Sequence, residues 1–145
     1  MSAKKTMSSR DEYKHFLTIP TRWMDNDAYG HVNNVQYYSY FDTTVNEFLV
    51  AKGLLDIGKS PVIGLVVETQ CRYARSIVFP DTVHAGLRIS HMGNSSVKYE
   101  LGLFKEDETE ASAEGHFIHV YVDRETNRPV PVPDNMREVL QSIAI

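Results

Sequence analysis

The chain is predicted to fold as an α+β domain, an antiparallel sheet with one long helix to bury against it. Three observations carry this: an apolar stripe at helical period between Val35 and Lys52, later segments that alternate apolar and polar residues with period two, and short turn-forming stretches that join those segments.

The first element is a strand from His15 to Trp23, HFLTIPTRW, which sets Leu17, Ile19, Thr21 and Trp23 on one side. Pro20 donates no N–H, so it marks an edge or a bulge. The turn-forming run MDNDAYGHVNN follows as a loop. Val35, Tyr38, Phe41, Val45, Phe48 and Leu49 then recur at spacings of three, four or one, which makes one apolar helix face. Asn33 is placed to cap that helix, with Gln36 three residues on as a capping-box partner, and Gly53 stops it. VIGLVVETQCRYAR reads as a long strand. DTVHAGLRIS groups Val83, Ala85, Leu87 and Ile89, and SVKYELGLF groups Val97, Tyr99, Leu101 and Leu103, as half-buried antiparallel strands expose one face each. EGHFIHVYVD closes another hairpin, with His116, Ile118, Val120 and Val122 together. After a Pro-rich turn, Asp134 is expected to cap a short helix carrying Met136, Val139, Leu140 and Ile143.

At 145 residues and 42% apolar composition the chain suits one core, expected over residues 13–145, with 1–12 as a polar tail. Fifteen basic residues against nineteen acidic ones, net -4, argue against a general nucleic-acid or anionic-membrane binder. Cys71 is the single cysteine and no Cys/His spacing matches a zinc site, so a cytoplasmic setting and no metal are expected. No apolar h-region follows the basic first residues, and no window approaches the roughly 18 apolar residues of a membrane span. A sheet this small leaves broad faces to cover, which favours oligomerisation.

The chemistry concentrates in the loop. Asp25 and Asp27 stand just ahead of a helix N-terminus, where unpaired amides and the macrodipole stabilise an oxyanion. A carboxylate there is competent as nucleophile or as base for water, and spacing alone does not choose between the two. There is no G-x-S-x-G elbow, P-loop or H-E-x-x-H.

DNDAYGHVNNVQYYSYFD resembles the D-x-D-x-x-G-x-V-x-x-x-x-Y signature of the 4-hydroxybenzoyl-CoA thioesterase-like branch of hotdog proteins. The likeness continues through CRYARSIVFPDTV, HMGNSSVKYELGLF and HVYVDRETNRPVPVP, over about residues 14 to 135, and departs at Arg75-Ser76 and Phe79-Pro80, where the family has other turn residues. The resemblance implies a hotdog fold, an antiparallel sheet of five to six strands wrapped around one long central helix. It implies an acyl-CoA thioesterase that needs no cofactor beyond the CoA of its substrate. By position, Asp27 takes the catalytic carboxylate's place and the backbone amide of Asn34 that of the oxyanion donor. A homodimer with sheets joined side by side, or a homotetramer as a dimer of dimers, is implied as well.

Other residues are weighed on their chemistry. Gly30 fits a turn that needs positive φ or close substrate approach. His31 serves as a positioning group or only as a hydrogen-bonded loop residue, and Asn33 first as a cap. Tyr37 either lines an acyl pocket or joins the core, and Asp25 is expected to satisfy loop amides. Arg72, Arg75, Arg88 and Lys98 are candidates for the CoA phosphates, against the alternative of a solvated face. His116 and His119, three apart on a strand, face opposite sides and so do not share a metal. Cys71 is expected as a small buried residue. A hotdog hydratase is disfavoured because the helix carries no histidine, and a non-catalytic acyl-CoA or metabolite-binding protein remains the alternative function.

Overall fold

The computed structural model describes residues 7–145. Five strands, β1 (His15–Pro20), β2 (Val62–Tyr73), β3 (Thr82–Met92), β4 (Ser96–Lys105) and β5 (Ala113–Asp123), form one antiparallel sheet in the order β1-β3-β4-β5-β2. Helix α1 (Asn34–Ala51) packs on one face, and a short α2 (Asp134–Gln141) adds Met136 and Leu140 to the same core, joined by Ile143 just after it. This is the α+β arrangement that the periodicities predict, with five strands and the long helix of the hotdog fold.

The alternation along β3 and β4 sends Val83, Ala85, Leu87 and Ile89, and Val97, Tyr99, Leu101 and Leu103, into the interior as expected. Phe41, at the middle of α1, is fully buried against Phe117, with ring centroids 6.0 Å apart. Gly115 on β5 faces it. A side chain there would overlap the Gln70 carbonyl oxygen on β2, so the absent Cβ is what lets β2 and β5 pair closely below Phe41.

Several expectations need correction. The first strand ends at Pro20, on an edge as predicted, because Thr21 leaves the ladder to bond the Asp81 carbonyl and a 3₁₀ turn, Trp23–Asp25, follows. The buried face of α1 is rotated: Tyr37, Tyr40 and Thr44 are inside with Phe41, Val45, Phe48 and Leu49, whereas Val35 is 66% exposed. Both tyrosines tolerate burial because their hydroxyls find partners, Tyr40 donating to Asp25 Oδ2 (2.7 Å) and Tyr37 accepting from the Ile77 amide (3.3 Å). On β5 the inward set is Phe117, His119 and Tyr121, so His116, Ile118 and Val120 face outward. Pro133, not Asp134, stands at the N-cap of α2. Within the segment expected as a polar tail, Met7 and Ser8 are buried, Met7 in a small cluster with Tyr13, Phe104 and Ala111, and Ser9 bridges to Glu110, while Asp11 and Glu12 are exposed. The rest of that expected tail, residues 1–6, lies outside the described residues.

The open edge at β2 is unusual. Leu65, Val66 and Val67 are 41%, 48% and 60% exposed, and every residue from 65 to 70 is exposed whichever face it points to. A bulge between Val66 and Glu68 breaks the pairing with β5 there.

Candidate active site

The loop before α1 is fixed by its own backbone. Asp27 N–H donates to the His31 carbonyl (2.9 Å) and Gly30 N–H to the Asp27 carbonyl (3.1 Å), closing a tight turn in which Gly30 has φ 86. A Cβ at Gly30 would meet no protein atom, so this position needs glycine for its backbone conformation. Val32 N–H bonds the Ile77 carbonyl (2.7 Å) and Asn33 N–H the Asp25 carbonyl (2.9 Å), which ties the loop's exit to the rest of the molecule.

The two carboxylates of the loop are differently employed. Asp25 is 1% exposed and accepts from the Arg22 amide, from Arg22 Nε (3.0 Å) and Nη2 (2.8 Å), and from the Tyr40 hydroxyl. Burial alone would raise its pKa, yet the hydrogen bonds from Arg22 and Tyr40 and the guanidinium charge outweigh that and hold it below the ordinary carboxylate range. Its lone pairs are spent on structure. Asp27 uses only Oδ1, which accepts the Tyr29 amide (2.8 Å) and lies 3.9 Å from His31 Nδ1, while Oδ2 has no partner among the described residues. Its side chain is 19% exposed.

The side chain of Asn33 accepts from Val35 N–H (2.9 Å), the N-cap bond foreseen, and its carbonyl accepts from Gln36 N–H (2.9 Å); no side-chain return from Gln36 completes the box. Asn34, the first helical residue, has an amide with no hydrogen-bond acceptor among the described residues. Asp27, His31, Asn33, Asn34 and Tyr37 line one cleft of about 480 Å³ together with Tyr73 and Arg75 from beyond the end of the helix. Tyr37 stands edge-on to Tyr73 (4.8 Å), and its phenol pKa is raised by burial, with the charge of Asp27 adding to the rise.

This cleft therefore holds a carboxylate oxygen free to act and an amide free to donate to developing negative charge. Those are the two components that attack on an acyl carbonyl requires.

The basic residues separate. Arg75 lines this cleft, its Nη2 donating to the Glu110 and Ala111 carbonyls. Arg72, Arg88 and Lys98 line another, on the sheet face away from α1, where Arg72 pairs with Glu114 (2.6 Å) and Arg88 with Glu100 (2.8 Å). Sequence spacing did not reveal Tyr73 as a wall of the cleft; its place at the end of a β-rich run beside the break SIVFPD was the available signal. Cys71, next to it, is half-buried, and burial pushes its thiol up to about 11, so it is no nucleophile at neutral pH. No helix among the described residues is long and apolar enough to cross a membrane.

Comparison with known proteins adds the family. The sequence profile of the thioesterase-like superfamily matches residues 21–140. Among solved structures, a protein from Pseudomonas aeruginosa PAO1 is 50% identical, with a TM-score of 0.92 over 95% of this chain and 96% of its own. A proposed thioesterase, also from Pseudomonas aeruginosa, is 32% identical with a TM-score of 0.81, covering 86% of this chain and 96% of its own. A gentisyl-coenzyme A thioesterase shares the fold at 22% identity, with a TM-score of 0.77 over 87% of this chain and 99% of its own.

Proposed function

Since the chain belongs to the thioesterase-like superfamily, we propose that it hydrolyses acyl-CoA thioesters in the cleft lined by Asp27 and Asn34. One observation carries the reading: a single cleft contains a carboxylate with an unshared oxygen and the unpaired first amide of a long helix. The thioester carbonyl oxygen accepts from Asn34 N–H, where the helix dipole favours the charge that develops on attack. Asp27 either attacks the carbonyl carbon, expelling the CoA thiolate and leaving a mixed anhydride that water then opens to free acid, or takes a proton from the water that attacks, the CoA thiolate leaving as the acid forms. Gly30 sets the turn that aims Asp27, and Asn33 fixes the amides beside the carbonyl. His31 and Tyr37 border the acyl group. Arg75 is assigned to the CoA moiety because, of the four basic residues considered, it alone lines this cleft.

The exposed edge of β2 supports a homodimer in which two copies of that strand pair side by side and cover Leu65, Val66 and Val67. A dimer of dimers would use the remaining apolar surface, including Trp23 and Met24.

The test is release of free thiol from acyl-CoA esters, read with a thiol-reactive dye. Asp27→Asn keeps the size and the Asx turn but loses the negative charge, and a drop in kcat of about 100-fold or more is expected. Activity retained in a folded Asp27→Asn protein overturns the assignment. Sedimentation velocity reads the assembly, with a monomer at micromolar concentration refuting the paired edge.

A further inference from the structure

Tyr37 comes three residues after Asn34 on α1, so the two share one face of the helix, and side chains on a helix lean toward its N-terminus. Tyr37 is 3% exposed and lines the Asp27 cleft. Its hydroxyl oxygen accepts from the Ile77 amide (3.3 Å), and among the described residues the hydroxyl hydrogen has no acceptor. A buried O–H left without an acceptor forfeits its bond to water without replacement, and so calls for an explanation.

Asp27 presents the complement. Its Oδ2 has no donor among the described residues, while Oδ1 takes the Tyr29 amide. Oδ2 and the phenol do not bond each other, yet both residues line the cleft and the charge of Asp27 reaches the phenol. One residue ties the two groups together. The Ile77 amide holds the Tyr37 oxygen, and the Ile77 carbonyl accepts from Val32 N–H (2.7 Å) at the exit of the Asp27 loop. Tyr73, edge-on at 4.8 Å, steadies the Tyr37 ring. Burial raises the phenol pKa, so the hydroxyl keeps its hydrogen at neutral pH and remains a donor.

Given the hydrolysis proposed for this cleft, on which this rests, we propose that Tyr37 is a further catalytic residue whose hydroxyl, with Asp27 Oδ2, holds the attacking water. A water accepts from the phenol and donates to the carboxylate at once, which answers both unpaired groups; direct attack by Asp27 leaves the phenol hydrogen unused. Asp27 then acts as the base. As the water oxygen bonds to the carbonyl carbon, one of its O–H bonds breaks and the proton passes to Oδ2, while the carbonyl π pair moves onto the oxygen that faces Asn34 N–H. Collapse reforms the C=O bond and breaks the C–S bond, whose electron pair leaves with the CoA thiolate. The proton on Asp27 passes to the thiolate or to solvent, which restores the carboxylate, and Tyr37 keeps its own proton throughout.

Hydroxylamine separates the holding of a water from the other tasks open to a tyrosine here. It attacks a thioester without help from a base, giving a hydroxamate, but still draws on the oxyanion donor. The full chain and its Tyr37→Phe variant are given whichever of acetyl-, hexanoyl-, palmitoyl- and benzoyl-CoA releases thiol fastest, with hydroxylamine present, and enzyme-dependent acid and hydroxamate are measured. Tyr37→Phe is expected to lower acid formation about tenfold, the effect of one hydrogen bond, and to spare hydroxamate formation, so the hydroxamate-to-acid ratio rises about tenfold. A variant that folds less well loses both products together, which leaves the ratio unaffected by the folded fraction. An unchanged ratio, the outcome for a purely structural tyrosine or a second oxyanion donor, overturns the proposal. So does ¹⁸O found in Asp27 after a single turnover in H₂¹⁸O, because a held water delivers the label to the released acid. Failure of the hydrolase reading is seen separately, as no thiol release that Asp27→Asn abolishes, and it overturns both.

Discussion

Replacing His119 by Phe should make the protein less sensitive to acid. The imidazole is 4% exposed, neither nitrogen has a hydrogen-bond partner among the described residues, and burial lowers its pKa from the ordinary 6.5 to about 4 in the fold. Between those values the unfolded chain takes up a proton that the native state refuses, so stability is complete above about pH 6.5 and falls as the pH drops toward 4. The displacement caps the loss at roughly 3 kcal/mol, of which roughly 2.5 kcal/mol is reached by about pH 4.5. Tyr99 and Tyr121, which pack on the ring, and Arg124, which lines the same cavity as His119, offer a new imidazolium no negative charge. Urea unfolding at neutral pH and at about pH 4.5 gives the stability of each protein. The loss of the unsubstituted chain should exceed that of His119→Phe by about 2.5 kcal/mol. Asp25, whose pKa is depressed, adds acid sensitivity of the same sign at lower pH, but equally to both proteins. Parallel losses in the two would refute the claim that the buried imidazole is neutral and unpaired.

Three further outcomes follow from packing and capping. Asn33→Ala removes the acceptor for Val35 N–H and should cost about 1 kcal/mol in chemical denaturation. Gly115→Ala forces a methyl group against the Gln70 carbonyl and Phe41 and should destabilise by about 3 kcal/mol, seen as a fall of several degrees in Tm. Arg22→Ala leaves the buried Asp25 carboxylate with the Tyr40 hydroxyl and one amide. A loss of stability at neutral pH is expected in urea unfolding, smaller than for a fully buried pair because the guanidinium is itself 60% exposed. That difference should shrink in acid, since Asp25, held below the ordinary carboxylate range in the fold, loses its charge-dependent stabilisation as the pH falls through that depressed pKa.

The elements were legible wherever periodicity was unambiguous. β3 and β4 alternate cleanly, and α1 has its cap at Asn33 and its stop at Gly53. The facing of α1 was not, because Tyr37, Tyr38 and Tyr40 satisfy more than one helical stripe. What selects among them is the Ile77 amide and the Asp25 carboxylate, groups far away in the chain or in an irregular loop. β5 misled for a related reason: Ile118 and Val120 look like core, yet the interior takes the opposite face, where Phe117 is joined by His119 and Tyr121, two residues whose polar atoms no hydropathy count places inside. In the candidate site the division of labour between the two Asp residues was half readable. Asp25 was expected to serve loop amides, but its bonds to Arg22 and Tyr40 depend on how the 3₁₀ turn meets the helix. Which basic residues share a cleft could not be read, because Arg72, Arg88 and Lys98 gather only through cross-strand register.

The Tyr40 hydroxyl and the Arg22 amide hold the same carboxylate, so the second turn of α1 and the segment leading to Asp27 are joined at one buried point. On the catalytic role proposed for Asp27, its reach is thus calibrated from inside the molecule. A change as small as deleting the phenolic oxygen at position 40 would let that segment drift relative to the helix, and turnover would suffer from a residue that no reactant meets.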